Sequence, residues 1–471
     1  MVLTSAPSAL AASLHMGGTT CHKCFGLPVT NDREKRVSLL SARSYQGSAL
    51  RLCDMLIIDE FSMIDILSFD CADRACRDMC GVDKPFAGKV LLCCGEFAQL
   101  PPVVPNGLRP DIISASCVSH PLWPSIKKFQ LHKRWRNADD KAFQNFCDAL
   151  ASDKHDGFFE SHKFLPGFRT CTTSKTAVDT LVGGFRDFPS KIQTSEDFNS
   201  LANTSIYKSV VAAYHHNSAI ELDFEIAQRV RRRLGEDEIL CHSSDTATKG
   251  CLLTPEFMEE IADKHHQIPP TTLRLFRGCK IRLLRNFYPS RGLCNGTLLL
   301  VRKVGRHFLE CQIISDSEFN GNIETLFRFK FDVTSKALEF SRIQFPVATA
   351  FAGTVHRFQG QSVPKIGLLI IDQRKSPFCH GQTYVAYTRA RTCTQVVLIT
   401  NPNSNTSVCL TYKELTFASS TLVCPPPQNI NWGLDEDMVL PAQEFVSVSD
   451  DSYDGHHPSG VLLEEAEEDL E

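Results

Sequence analysis

Two adjacent carboxylates follow a short apolar segment of this chain. The segment reads Leu56-Ile57-Ile58, and Asp59 and Glu60 come directly after it, where a buried strand would end. An aspartate at such a position can hold Mg²⁺, and a neighbouring glutamate can polarise an attacking water, which is the pairing that phosphoryl transfer needs. Strands also end in Asp-Glu for solvation or helix capping, so this pattern alone leaves both interpretations open.

A second apolar segment, Val90–Cys94, leads through Gly95 to Gln99. A glutamine placed after a strand can sense a γ-phosphate or hold a water in line for attack, although each of these residues could also be ordinary turn chemistry. Together with the preceding Lys84–Lys89, the segment resembles the third motif of Pif-type (petite integration frequency) DNA helicases of superfamily 1. The resemblance extends over nearly the whole chain.

Ser8–Phe25 resembles the DNA-contacting motif Ia of this family, in the form found in Helitron-type transposon helicases. The match implies that Thr20, His22 and Phe25 approach single-stranded DNA, because a hydroxyl, an imidazole and an aromatic ring suit phosphates and base faces. Ser8-Ala9 departs from the Thr-Gly that the family usually has. Without the resemblance, all of these would be ordinary loop residues.

Motifs from the second half of the family pattern imply residues that reach the nucleotide. Leu131–Asn137 is similar to motif IV, whose final arginine is Arg136, although the same segment could be a basic surface turn. Gly381–Arg391 resembles motif VI, in which Arg389 takes the arginine-finger position. An arginine brought onto the γ-phosphate by the second domain couples hydrolysis to domain closure.

Phe351–Ser362 resembles motif V, with Arg357-Phe358 where the family often has Lys-Ser. The resemblance implies functional contacts from four residues of this segment, Thr354 and His356 to DNA, and Gln359 and Gly360 to the phosphates.

Short apolar runs and amphipathic segments alternate along the chain, which predicts an α/β fold. Continuous apolar runs of this length predict strands buried on both faces of a parallel sheet; they are Met55–Ile58, Val90–Cys94, Ile366–Ile371 and Val396–Ile399. Helical patterns lie at Asp140–Ala151 and Ala219–Leu234. With the resemblance, the prediction is two RecA-like P-loop NTPase domains with parallel sheets, and a small β barrel inserted in the second.

The predicted boundaries follow from composition and from the motifs. Gly278–Asn286, followed by Gly292–Thr297, is similar to the family's entry into the inserted barrel, and Arg285–Arg342 is prone to β structure and contains several turn residues. The predicted parts are a first RecA-like domain (1–153), a connecting segment (154–204), a second RecA-like domain (205–284 and 343–403), an SH3-like β barrel (285–342) and a disordered acidic tail (425–471).

The 471 residues contain no G-x-x-x-x-G-K-S/T segment, the P-loop that precedes motif Ia in this family. Without it, the sequence offers no successive backbone N–H groups for a β-phosphate and no P-loop lysine for a γ-phosphate. We expect either that this sequence is N-terminally truncated, without the first strand and helix of domain one, or that the loop is lost or supplied by a partner.

The charge distribution and the cysteines indicate what kind of partner and what redox state to expect. Fourteen acidic and no basic residues follow Lys413, so the rest of the chain has 50 basic against 40 acidic side chains, a surplus that suits a polyanionic partner. The 20 cysteines are scattered through apolar runs, which is typical of reduced, buried thiols. Cys21 and Cys24 have zinc-knuckle spacing, but no second such pair stands nearby.

The resemblance therefore implies an ATP-dependent DNA helicase that translocates 5′ to 3′ on single-stranded DNA, with ATP and Mg²⁺ as cofactors and Asp59 as the metal ligand. It implies a monomer that acts on single-stranded DNA and junctions in replication, repair, recombination or telomere maintenance, alongside other replication or repair proteins. The nucleus is the expected location, with the mitochondrion or cytoplasm as alternatives. The alternative function is a catalytically inactive DNA-binding remnant of a transposon or viral helicase, and a zinc protein is a third hypothesis.

Overall fold

A computed structural model describes residues 1–420, except for 13, 29–36, 105–106, 130, 132–134, 152–158, 183–188, 190–191, 248–267, 316, 335–338 and 365–366. The elements described below all belong to one compact unit, Met1–Val423. In the described part of the chain, no helix is both long enough and apolar enough to cross a membrane. The predicted acidic tail, 425–471, lies outside the described residues, as do positions 132–134 of the motif IV segment.

The first sheet has four parallel strands in the order β2-β1-β3-β4. Its strands are β1 (Val2–Ala6), β2 (Thr19–Thr20), β3 (Met55–Ile58) and β4 (Val90–Cys93). The apolar run predicted β3 with its observed bounds, and β4 ends one residue earlier than predicted. Because Asp59 follows β3 at once, the strand delivers the carboxylate pair to the carboxyl edge of the sheet.

Helices pack on the first sheet, and the hydrophobic core of this region lies between them and the strands. They are α1 (Ala9–Ala12), α2 (Cys21–Phe25), α3 (Tyr45–Leu52), α4 (Ile66–Cys80) and α5 (Arg109–Ala115). The carboxylate of Asp65 caps α4, since it accepts hydrogen bonds from the backbone N–H groups of Leu67 at 3.1 Å and Ser68 at 3.0 Å. Phe69 of α4 is buried in the same apolar cluster as Leu56 and Ile58 of β3, and this cluster holds the strand that carries the carboxylates.

The second sheet has five parallel strands in the order β18-β7-β19-β20-β6. They are β6 (Arg169–Cys171), β7 (Val210–Ala213), β18 (Gly353–Thr354), β19 (Leu369–Asp372) and β20 (Val396–Ile399). All residues of β7, β19 and β20 are buried, as expected for central strands of a covered parallel sheet. The two parallel sheets confirm the predicted α/β class.

Helices of this region are α6 (Lys141–Ala151), α7 (Ser174–Val182), α8 (Ser195–Ala202), α9 (Ser205–Lys208), α10 (His216–Leu234), α11 (Gln382–Tyr387) and α12 (Lys413–Ser420). The predicted boundaries differ from the structure here. α6 was expected in the first domain, yet its Phe143 and Phe146 pack with Tyr384 and Tyr387 of α11. The apolar face of α6 therefore packs on the second domain. Hydrophobic periodicity predicts that such a face is buried, but it does not say against which domain.

The segment predicted as a connector, 154–204, instead contributes strands. β6 pairs with β20, and β5 (Phe159–Lys163) pairs antiparallel with β21 (Thr406–Leu410), beyond the predicted limit at 403. The three residues of β6 are too few and too polar to give an apolar run. Only the buried Cys171 joins the core, so the sequence carried little signal for this strand.

An antiparallel β module is inserted in the second domain, between β7 and β18 of its parallel sheet. It contains a five-stranded sheet (β14-β13-β12-β11-β17), a three-stranded sheet (β15-β16-β9) and a pair (β10-β8). The strands are β8 (Ile239–His242), β9 (Ser244–Ala247), β10 (Thr272–Leu275), β11 (Lys280–Leu283), β12 (Leu298–Val304), β13 (Phe308–Ile313), β14 (Ile323–Phe327), β15 (Phe329–Thr334), β16 (Glu339–Gln344) and β17 (Val347–Thr349). The module is thus larger than the predicted barrel at 285–342, because strands on both sides of that range pair into its sheets.

Candidate functional site

The carboxylate pair occupies a strained turn at the end of β3. Glu60 has φ of 50° and ψ of 42°, the left-handed region that residues other than glycine seldom adopt. Its backbone N–H donates to Oδ1 of Asp59 at 2.9 Å, and Oδ2 of Asp59 lies 2.8 Å from Nε2 of His15. Both oxygens of Asp59 are therefore engaged by short contacts, and the turn aims Glu60 away from the strand axis.

The loop after β4 passes close over this turn. A Cβ atom at Gly95 would lie 2.9 Å from the backbone nitrogen of Phe61 and 3.1 Å from that of Ser62, so only glycine allows the approach. The loop then brings Glu96 and Gln99 to the same edge, where Nε2 of Gln99 donates to Oε2 of Glu96 at 3.1 Å. The two segments that the sequence singled out for phosphate chemistry are thus neighbours.

Residues of the second domain face this edge directly. Nε2 of Gln359 donates to Oε2 of Glu60 at 3.1 Å, and a Cβ atom at Gly360 would lie 3.5 Å from Oε1 of the same carboxylate. The hydroxyl of Tyr384 donates to Oε1 of Glu96. Glu60 and Gln359 are 299 positions apart in the chain, so these contacts create one site from two sheets.

Both predicted arginines lie beside this site. Arg389 is 2% exposed, and its guanidinium donates to the carbonyl oxygens of Val385 at 2.9 Å and Gln361 at 2.8 Å. Burial, together with the nearby Arg136 guanidinium, lowers the pKa of Arg389 to about 10, while the Glu60 carboxylate opposes that shift. Nη1 of Arg136 donates to the carbonyl oxygen of Thr388 at 3.0 Å.

Two buried amide oxygens of this site have no hydrogen-bond partner among the described residues. They are Oε1 of Gln99 and Oε1 of Gln359, one from each domain. Leaving a buried acceptor unpaired costs about 1–3 kcal/mol, so such atoms in a cleft indicate that a ligand or water completes them.

The residues expected at DNA lie in two places. Thr20 caps α2, where its hydroxyl accepts a hydrogen bond from the backbone N–H of Lys23 at 3.3 Å, and His22 is exposed beside it. Phe25 is only 1% exposed and packs with Leu50 in the first core. Its ring is an internal packing residue here, and the approach of Phe25 to single-stranded DNA stays a prediction.

The two predicted DNA residues of the second domain follow β18. Thr354 is half-buried and ends the strand, and the ring of His356 stacks on Phe378 with centroids 6.0 Å apart. Burial lowers the pKa of His356 to about 4, so the imidazole is neutral near pH 7. A neutral imidazole donates one hydrogen bond and accepts another, but it adds no positive charge for a phosphate.

Cys21 and Cys24, which have zinc-knuckle spacing, lie inside the first core. Both thiols are buried, and burial raises the pKa of each to about 12. A cysteine binds zinc as the thiolate, which the raised pKa disfavours. In the part of the chain that the structure describes, no three cysteine, histidine or acidic side chains are grouped as metal ligands.

Family comparisons identify the origin of this arrangement. Residues 1–155 match the family model of PIF1-like helicases, and residues 256–304 match the model of the DNA helicase Pif1 2B domain. Over these two segments the chain is similar to Pif1-like helicases. The second match includes β10, β11 and β12 of the β module and overlaps the predicted barrel at residues 285–304.

Curated relatives of this Pif1-like chain include the mouse ATP-dependent DNA helicase PIF1, 25% identical over 388 residues that cover 81% of this chain and 50% of the relative. The yeast (Saccharomyces cerevisiae) ATP-dependent DNA helicase RRM3 is 21% identical, covering 81% of this chain and 56% of the relative. The chain spans about half the length of the curated relatives it matches.

Solved structures show the same fold. Bacteroides Pif1 bound to single-stranded DNA has a TM-score of 0.58 at 21% identity, over 84% of this chain and 82% of that one. Pif1 helicase from Candida albicans has a TM-score of 0.57 at 20% identity, over 89% of this chain and 88% of that one. The two parallel sheets of this Pif1-like chain are accordingly RecA-like domains.

Three residues of this Pif1-like site were missed in the sequence. His15, Glu96 and Tyr384 lie within segments that resemble family motifs, but they were not assigned roles. The one local signal was that each is a polar side chain within such a segment. The contacts of His15 with Asp59 and of Tyr384 with Glu96 join residues 44 and 288 positions apart, so sequence spacing could not reveal them.

Proposed function

We propose that this chain is the motor of an ATP-dependent DNA helicase, which hydrolyses ATP to translocate on single-stranded DNA in the 5′ to 3′ direction that the family resemblance implies. The observation that carries the proposal is the hydrogen bond between Glu60 and Gln359, with Arg389 and Arg136 beside it. A carboxylate from one RecA-like domain thus faces amide and guanidinium groups from the other. Such a cleft can respond to a nucleotide by closing.

Within this proposal, Glu60 polarises the attacking water and Gln99 holds it in line. Arg389 and Arg136 supply positive charge to the transferring phosphoryl group, and Gln359 with Gly360 approaches the phosphates. In the conformation described, Arg389 donates to carbonyl oxygens of its own domain. Its guanidinium must exchange those acceptors for phosphate oxygens when the domains close, which would link hydrolysis to domain movement.

The oxygen atoms of this site provide part of what a magnesium nucleotide needs. Asp59 offers a carboxylate at the strand end, and the unpaired oxygens of Gln99 and Gln359 can accept hydrogen bonds from waters around a hydrated metal ion. Bound Mg²⁺ would neutralise phosphate charge. The P-loop segment is not among the 471 residues.

Single-stranded DNA and DNA junctions are the proposed partners. Thr20 and His22 from the first domain, and Thr354 and His356 from the second, are the proposed contacts. The basic surplus of the chain before Glu414 favours a polyanion, since neutralised phosphates release counterions. We further propose a monomer that acts in the nucleus, in replication, repair, recombination or telomere maintenance.

A second candidate function is a DNA-binding protein that does not hydrolyse ATP. It is favoured by the contact between Asp59 and His15, which occupies the carboxylate oxygen that a metal would need. Such a protein would bind single-stranded DNA through the same motifs. It would show no DNA-stimulated hydrolysis under any condition.

ATP hydrolysis stimulated by an oligothymidylate separates the two candidates. The assay uses the chain itself and the chain extended at its N-terminus by a P-loop segment. We expect the extended protein to hydrolyse ATP, and Glu60→Gln to lower its turnover about 100-fold or more, because the variant cannot accept a proton from the attacking water. DNA binding should be unchanged.

The matched control is Glu318→Gln, the same substitution at an exposed position in the β module, which should keep full turnover. Absence of DNA-stimulated hydrolysis in the extended protein, or full hydrolysis after Glu60→Gln, would contradict the helicase proposal. The first of these results, with DNA binding retained, would favour the second candidate.

A further inference from the structure

A cavity of about 190 Å³ lies between the second RecA-like domain and the β module. The start of α10 forms one wall, β11 forms another, and the stretch from β17 to Arg357 forms the third. Thr354 lines the cavity at the end of β18, which pairs in parallel with β7 just before α10 begins. The cavity therefore opens at the carboxyl edge of a parallel sheet, where α/β domains commonly bind their ligands.

Two arginines line this cavity without partners in the described structure. Arg282 of β11 and Arg357 of motif V are half-buried, and neither guanidinium makes a hydrogen bond or ion pair with another described residue. Desolvation, with the repulsion between the two groups, lowers the pKa of Arg282 to about 9. A partly desolvated cation pair of this kind is costly unless an anion compensates it.

Asp223 of α10, which also lines the cavity, offsets the charge of the pair only in part. It is buried, and its Oδ1 accepts a hydrogen bond from the backbone N–H of Ala352 at 2.9 Å, which ties it to the loop before β18. Burial also raises the pKa of Asp223, so its negative charge is disfavoured there. The two guanidinium groups thus share one carboxylate, and that carboxylate already accepts a hydrogen bond from the backbone.

The helix adds to the positive potential. α10 has 19 residues, and its first residue, His216, lines the cavity. The N-terminus of a helix this long carries a partial positive charge. These features and the Thr354 hydroxyl point to an anion with several acceptor oxygens.

We propose that this cavity binds a backbone phosphate of single-stranded DNA through Arg282 and Arg357. The inference rests on the proposed function and makes it specific, because it assigns a phosphate position next to Thr354. A planar guanidinium donates two parallel hydrogen bonds to phosphate oxygens, and two such groups can hold one phosphate from two sides. Arg282 lies outside every segment that the sequence assigned to DNA.

Equilibrium binding of a fluorescein-labelled oligothymidylate, followed by anisotropy over a series of salt concentrations without ATP, tests the assignment. We expect Arg282→Met and Arg357→Met each to weaken binding at low salt about tenfold. Each should also reduce the slope of log K against log salt by about 0.7, the value for one lost phosphate contact on a single strand.

Arg232→Met is the matched control. It removes the same charge, but Arg232 is exposed and lies near the C-terminal end of α10, away from the cavity at the N-terminal end. It should leave both quantities near those of the unsubstituted chain. Thermal unfolding of each variant reports its folding. If Arg282→Met does not fold, the decision rests on Arg357→Met, whose side chain lies in a short helical turn outside the sheets.

Unchanged affinity and slope in the folded cavity variants would overturn the proposal, as would an equal loss in Arg232→Met. A fluorescent ATP analogue forms the second arm. Weaker nucleotide binding with unchanged DNA binding would assign the cavity to a nucleotide and refute the DNA assignment. Because no step requires hydrolysis, a failure of ATPase activity would leave this result standing, and a chain that binds no DNA would refute it.

Discussion

Gly381 offers a direct test of how the two RecA-like domains meet. It has φ of 73° at the start of α11, and a Cβ atom there would lie 2.6 Å from the carbonyl oxygens of both Ala98 and Gln99. Those oxygens belong to the loop that carries Gln99 in the first domain. An alanine at position 381 must therefore adopt a left-handed conformation and also push the two domains apart.

A second glycine separates the two contributions to the loss of unfolding free energy, the left-handed conformation and the backbone clash. Gly235, which follows α10, has φ of 67°, but no atom lies within 4 Å of the Cβ position. Gly235→Ala should lower the free energy of unfolding by about 1 kcal/mol, the cost of the left-handed conformation alone. Gly381→Ala has the same conformational cost and a backbone clash worth about 2 kcal/mol more, within the range for overpacked sites.

Urea unfolding of both variants, followed by tryptophan fluorescence and circular dichroism, measures the difference. With a slope of roughly 3 kcal/mol per molar urea, Gly381→Ala should move the midpoint by about 1 M and Gly235→Ala by about 0.3 M. We also expect Gly381→Ala to reduce DNA-stimulated hydrolysis more strongly, since it displaces Tyr384 from Glu96. Equal midpoint shifts for the two variants would refute the interdomain contact.

Two further predictions concern stability. Arg342 is fully buried and donates to the Asp245 carboxylate at 2.9 Å and to the Pro269 carbonyl oxygen at 2.9 Å, so Arg342→Met should destabilise the β module by about 3–5 kcal/mol in urea unfolding. A loss no larger than that of the exposed Arg306→Met would contradict this. The pKa of His356, about 4, lies below the ordinary 6.5, so the unfolded chain binds more protons between these values. Stability should be complete above about pH 6.5 and fall as the pH decreases toward 4, by about 2 kcal/mol at pH 5. His356→Gln should flatten this dependence, and an unchanged pH profile would count against the buried neutral imidazole.

Local features of the chain were sufficient to predict much of the architecture. The apolar runs Met55–Ile58 and Val396–Ile399 became strands with the bounds expected, because a strand buried on both faces must be apolar at every position. The amphipathic pattern at Ala219–Leu234 predicted α10 with only its first turn missing. Motif order then indicated which strand ends carry the candidate phosphate-binding groups.

Contacts between distant segments were decided only by the tertiary structure. The hydrogen bond from Gln359 to Glu60 and the proximity of Arg282 to Arg357 depend on how two sheets and a β module pack. Phe25 shows the same limit, since an aromatic residue in a DNA-contacting motif proved to be part of the core. Hydrophobic periodicity reports which residues avoid water, and motifs report which chemistry is present, but neither specifies which distant atoms meet.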